Sequence, residues 1–145
     1  MAISVKRITL WRAEVANQPG VLAATLKPLA EARANLSVVM GYRYKTDPSK
    51  AAIELYPVTG KKATAAAQAA GLAPYEMPTL LVEGDDRPGL GHAIAEAIAG
   101  AGINLAFLVT QVIGRKYSAV MAFENEEDLK KAASLIKKVK APRGK

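Results

Sequence analysis

Cysteine is absent from the 145-residue chain, which excludes a disulfide framework, a thiolate zinc site and a cysteine nucleophile. Histidine occurs once, at His92, and a catalytic triad or zinc centre built on it would need partners that the sequence does not supply. No stretch approaches the roughly 18 apolar residues of a membrane span. The opening residues, Met1 to Arg7, lack the apolar run of a signal peptide. A soluble, cytoplasmic protein is therefore expected. The glycines of Gly84-Asp85-Asp86-Arg87-Pro88-Gly89-Leu90-Gly91 are not followed by Gly-Lys-Ser/Thr, and the third glycine of a dinucleotide fingerprint is missing, so neither phosphate-binding motif is present. The adjacent carboxylates Asp85 and Asp86 point opposite ways in an extended segment, which argues against a shared metal or acid/base pair. No metal and no cofactor is expected.

What the chain does contain is apolar residues, 50% of the total, enough for a buried core. Its net charge of +7 sits at one end. From Lys130 onward there are seven bases and no acid; taking those seven from the 20 Lys and Arg leaves 13, equal to the 13 Asp and Glu. The body is neutral. The last helix begins with Asn125-Glu126-Glu127-Asp128 and ends in lysines, the order that the helix dipole favours, so a solvated helix and tail accounts for the charge more simply than a nucleic-acid site. Trp11, Tyr42, Tyr44 and Tyr56 lie on strand segments and invite comparison with an RNA-stacking platform, but core or interface packing explains them with fewer assumptions.

The chain also repeats itself. Asn17-Gln18-Pro19-Gly20-Val21 resembles Asp86-Arg87-Pro88-Gly89-Leu90 at a shift of 69, and the same shift carries Asn35-Leu36 onto Asn104-Leu105. Later the shift falls by one or two, with Ala52 to Leu55 matching Ala119 to Ala122, as a longer first hairpin loop would require. Each copy reads as a strand (Ile8 to Val15; Thr79 to Glu83), a Pro-Gly turn opening a helix, a hairpin (Leu36 to Tyr44 with Ala51 to Pro57; Leu105 to Ile113 with Tyr117 to Phe123), and a second helix (Lys62 to Ala70; Glu126 to Val139). Pro19 and Pro88 suit a first helical position, and Pro28 should bend the first helix or end it early. Gly102 suits a left-handed helix cap, where its counterpart Arg33 fits at a cost. Leu72 to Met77 supplies a last strand in the first copy; Lys140 to Lys145 reads as a poor one, so a short or missing last strand is expected in the second. The expected fold is α+β: two ferredoxin-like βαββαβ modules, residues 1–76 and 77–145, each an antiparallel sheet with its helices on one face.

This order, with Asn-x-Pro-Gly after the first strand and an apolar-Asn-apolar signal opening the second, resembles the ACT domain family, twice over nearly the whole chain. The resemblance implies stand-alone tandem ACT domains that pair their sheets edge to edge, bind an amino acid at the seam and regulate a metabolic enzyme without catalysing a reaction. It implies ligand contacts from Asn17, Gln18, Gly20 and Asn35, and from Asp86, Arg87, Gly89 and Asn104. These residue types suit a zwitterion. A helix start offers N–H groups to a carboxylate, glycine lets the ligand approach the backbone, and an asparagine can donate or accept. Asp86 in place of Asn17 would repel a carboxylate, so the two sites differ. Structure alone offers a competing account: Asn17 and Asp86 as helix N-caps, Asn35 and Asn104 as left-handed turn residues. The amino-acid sensor is expected to be a homodimer or a larger assembly. Two other functions compete: a structural interaction module that docks on an enzyme or regulator without a ligand, and a nucleic-acid binder using the basic tail.

Overall fold

The computed structural model describes residues 3–140. Among the described residues eight strands and four helices form two compact units, and the chain visits one of them twice. Strand β1 (Ser4–Ile8) joins the unit formed by the sequence from Met77 onward, whereas Thr9–Glu76 forms a unit of its own. We call these the split unit and the inserted unit.

The inserted unit runs β2 (Trp11–Ala16), α1 (Val21–Glu31), β3 (Val38–Arg43), β4 (Lys50–Tyr56), α2 (Lys61–Ala69) and β5 (Ala73–Pro74). Its antiparallel sheet has the order β3-β4-β2-β5. Alternation along β2 and β4 turns Ala13, Ile53 and Leu55 toward Leu29 of α1 and Ala67 of α2, and these side chains make one buried cluster. Both helices therefore lie on one face. Pro28 does not end α1, which continues to Glu31 and receives the Ala32 N–H at the Pro28 carbonyl.

The split unit runs β6 (Thr79–Asp85), α3 (Leu90–Gly100), β7 (Leu105–Ile113), β8 (Lys116–Phe123) and α4 (Glu126–Lys137), with sheet order β1-β6-β8-β7. Leu80, Val82, Met121 and Phe123 pack beneath Ile94, Ile98, Leu129 and Ile136, with Ile3 and Val5 at the margin. Asn125 caps α4, its side-chain oxygen accepting from the Asp128 N–H at 2.8 Å.

The first strand, read as one run from Ile8 to Val15, is broken at Thr9-Leu10, because the chain leaves one sheet for the other. The contiguous division 1–76 and 77–145 accordingly misplaces residues 3–8. The last strand thought short or missing in the second copy is supplied from the other end of the chain: β1 pairs with β6 from Ser4 opposite Glu83 to Ile8 opposite Thr79. Residues 141–145 of the expected poor strand lie outside the described residues. In the inserted unit the last strand shrinks to two residues.

The repeat is otherwise close. Arg33 has φ 59° and Gly102 φ 72°, so both occupy the left-handed region 69 positions apart. The next N–H of each copy returns to the helix in the same way, Ala34 to Leu29 and Ile103 to Ile98. The left-handed residues are thus Arg33 and Gly102, not Asn35 and Asn104. Ala13 pairs with Ile53 and Val82 with Ala119, so the shift beyond the hairpin is 66, and Ala52 to Leu55 correspond to Ser118 to Met121. Residues 44–49 join the first hairpin where Gly114-Arg115 suffices in the second.

Candidate ligand site

At the end of β2 the chain turns into α1 over Asn17 to Gly20. The Asn17 N–H donates to the Ser49 carbonyl at 2.8 Å, and its side-chain Nδ2 donates to the Pro48 carbonyl at 2.8 Å. The loop is thereby tied twice to the β3–β4 hairpin. Gly20 is the residue before the helix, with φ 88°, and no side chain caps the helix. Pro19 precedes that glycine within the turn rather than opening the helix. Asn17 is not an N-cap, because its amide is spent on the hairpin.

The geometry recurs in the split unit. The Asp86 N–H donates to the Arg115 carbonyl at 2.8 Å, Gly89 has φ 84° before α3, and that helix too lacks a side-chain cap. A carboxylate cannot donate as Asn17 does, so the second, side-chain tie has no counterpart at Asp86. Asp85 instead takes Lys116 at 2.8 Å, and that ammonium holds its carboxyl below the ordinary range. His92, on the exposed side of α3, lies 3.7 Å from Glu96. Among the described residues no three His, Asp or Glu gather as a metal site would require.

In the inserted unit the loop walls a pocket of about 370 Å³, within the size range of small-molecule sites. Asn17, Gln18 and Gly20 line one side, and Gly41, Tyr42 and Arg43 of β3 line the other. Arg43 is the single charged residue of the lining. No acid occupies the first turn of α1, so the partial positive charge of the helix start is not neutralised locally. The pocket therefore favours an anionic group.

Tyr42, which from sequence reads as a packing aromatic and not as a site residue, also lines this pocket. It lies on the sheet face away from the helices and donates to Oε2 of Glu54 at 2.8 Å. Glu54 is 1% exposed. Arg12 sits directly opposite Glu54 in the register, hydrogen bonds to Tyr44 and stacks 5.1 Å from the Tyr75 ring centroid. Arg12 Nε and Glu54 Oε1 are buried without a hydrogen-bond partner among the described residues. Burial first, then the bond to Glu54, pushes the Tyr42 hydroxyl up to about 12. By register the split unit has Leu81 and Val120 in place of Arg12 and Glu54, and Gln111 in place of Tyr42. Trp11, by contrast, packs on the helix-side cluster, so the aromatics share no stacking platform.

Asn35 and Asn104 are not brought to these loops within one chain. Both are exposed and stand at the opposite end of the sheet: Ser37 bonds to Tyr56, at the far end of β4 from the Ser49 that holds Asn17. The seven residues of β4 put roughly 20 Å between the two ends. The same separation holds between Asn104, beside the Leu105–Phe123 pair, and Asp86, beside Arg115.

No helix among the described residues is long and apolar enough to cross a membrane. A search of the curated proteins finds no match to this sequence. Among solved structures, the chain is similar to protein BT0572 from Bacteroides thetaiotaomicron, with TM-score 0.74 at 14% identity, covering 93% of this chain and 99% of that one. It is also similar to the regulatory subunit of aspartate kinase from Thermus thermophilus in its ligand-free form, with TM-score 0.62 at 14% identity over 94% and 95% of the two chains. The corresponding subunit from Thermus flavus gives TM-score 0.61 at 16% identity over the same shares. At such identities the likeness is one of fold. The family model that matches is that of the ACT domain, over residues 78–141, a little under half of the chain, and the α+β fold is similar to that of the aspartate kinase regulatory subunits.

Proposed function

We propose that the chain is a non-catalytic regulatory protein made of two ACT-type modules, that it binds an amino acid at the Asn17–Gly20 loop, and that it acts as a cytoplasmic homodimer. The observation that carries this reading is the pocket: a twice-tethered loop, an uncapped helix start and Arg43 converge on a space of about 370 Å³. A carboxylate would lie toward the helix start and Arg43, and the amides of Asn17 and Gln18 would meet the polar remainder. The ACT match in the second half and the fold shared with aspartate kinase regulatory subunits support a sensing role.

The sheet edges support the dimer in this reading. Strands β3 and β7 are each an outer strand of their sheet. Antiparallel pairing of β3 with the same strand of a second copy would set the Asn35 end of one beside the Asn17 end of the other. Pairing along β7 would do the same for Asn104 and the Asp86, Arg87 and Gly89 loop. Such a seam unites residues that one chain holds apart. Asp86 makes the second loop the poorer one for a carboxylate.

Thermal-shift measurements with the standard amino acids at millimolar concentration test the reading. Ligand at about 100 times its dissociation constant adds roughly 2.7 kcal/mol, a rise of several degrees, and Gly20→Ala should reduce it. A flat panel would reject the sensor. A second reading rests on β7, whose Leu108, Val109, Val112 and Ile113 are exposed, Ile113 at 67%. An outer strand with such side chains is a pairing surface, so an interaction module docking on an enzyme would keep its partner while ignoring every amino acid.

A further inference from the structure

A second cavity, independent of the ligand loop, lies in the split unit between the outer strand β1 and helix α4, with a volume of about 490 Å³. Helix α4 buries Leu129, Ala132 and Ile136 in the core. One step around the helix, the small side chains of Ala133 and Ser134 face the cavity and leave it open. Its floor is apolar, formed by Val5, Leu80, Leu129 and Ala133.

The rim is cationic. Arg7 is engaged by Glu126, the only acid of the lining. Lys130, Lys137 and Lys138 also line the cavity and have no ion pair among the described residues. The helix dipole accounts for lysines at positions 137 and 138. It does not account for Lys130, a full two turns earlier, or for the apolar hollow between them. Charge complementarity and shape together call for an occupant with an aliphatic body and one negative head.

We propose that this groove binds an amphipathic carboxylate of the fatty-acid type, its chain over Val5, Leu80, Leu129 and Ala133 and its head among Lys130, Lys137 and Lys138. Chain length then sets affinity through buried methylenes, and salt weakens binding by screening the head.

Decanoate is a suitable probe, titrated into the full chain below its micelle concentration and followed by calorimetry and amide NMR. The expected result is saturable binding at one site, with shifts confined to residues around β1 and α4. Octanoate should bind about tenfold more weakly, since two methylenes are lost. The neutral decyl maltoside should not compete. Lys130→Gln with Lys137→Gln should weaken decanoate several-fold, and Ser134→Phe, at an exposed position that fills the groove, should abolish binding with melting unchanged. Gly20→Ala, in the amino-acid loop, should leave decanoate binding intact. The proposal is overturned if decanoate fails to saturate, if decyl maltoside binds equally well, or if Ser134→Phe leaves affinity unaltered.

Discussion

The Tyr42 hydroxyl donates to the buried carboxylate of Glu54 at 2.8 Å, joining a residue of the loop pocket to the central strand of its sheet. Removing that hydroxyl would leave Glu54 buried with neither oxygen bonded, an arrangement that costs about 2 kcal/mol. Tyr42→Phe should therefore destabilise the inserted unit by that amount, read as a lower denaturant midpoint. Tyrosinate absorbance should show Tyr42 titrating near 12. Glu54→Gln should bring it only part of the way back, because burial is the larger cause. Its contribution to stability is whole below the ordinary tyrosine pKa and is lost as pH rises through the folded value.

Arg12 and Glu54 face each other where the split unit has Leu81 and Val120. Exchanging both for the apolar pair, Arg12→Leu with Glu54→Val, should be close to neutral in chemical denaturation. Arg12→Leu alone should cost about 1 kcal/mol or more, since it removes the guanidinium that is bonded to Tyr44 and faces the buried carboxylate across the register. Similar losses for single and double variants would contradict this.

Arg33 holds φ 59° at the position where the second copy has Gly102. A left-handed backbone costs a side-chain-bearing residue about 1–2 kcal/mol, part of which glycine's freer unfolded chain takes back. Arg33→Gly should raise stability by about 0.5 kcal/mol, and Gly102→Ala should lower it by about 1 kcal/mol. Added Cβ atoms meet nothing at Gly102, so thermal melts of the pair report backbone strain alone.

Glu126 is held below the ordinary carboxylate range by Arg7, and Asp85 by Lys116. Because both folded pKa values are depressed, the stability they lend is present above the unfolded value of about 4 and drains away as pH falls further. Both pairs are surface-exposed, so the effect is small. Melting temperature followed downward from pH 6 should show a shallower acid slope in Glu126→Gln than in the parent.

Residues 9–76 carry their own core, whereas residues 77–145 lack the strand at their sheet edge. Expressed separately, the first fragment should give dispersed NMR signals and the second should not. Appending residues 1–8 behind residue 140 through a flexible linker should restore the second. Independent folding of unmodified 77–145 would show that β1 is dispensable.

Much of this fold was legible because strand and helix periods repeat at one interval, and Asn17 to Gly20 and Asp86 to Gly89 do adopt matching turns. Other features were not. Nothing in Ile8-Thr9-Leu10-Trp11 signals that β-rich sequence changes sheets, since Ile8 and Leu10 are both buried and the choice of partner strand is a long-range matter. Residue type alone offers Asn17 and Asp86 a capping role beside a ligand-binding one, while their hydrogen bonds depend on a hairpin some thirty positions away. From sequence Tyr42 reads only as a packing aromatic, because its polar role comes from Glu54, which only the register places beside it.

The position of β1 gives the molecule a history as well as a shape. During synthesis β1 is made well before Thr79 to Glu83, its partners, which arrive only after the whole inserted unit has been made. That unit can close early, while β1 stays unpaired, and the most distant pairing among the described strands must wait until the inserted unit has been made. An N-terminal tag or fusion would therefore weigh on the maturation of the far end of the protein, leaving its immediate neighbour in sequence untouched.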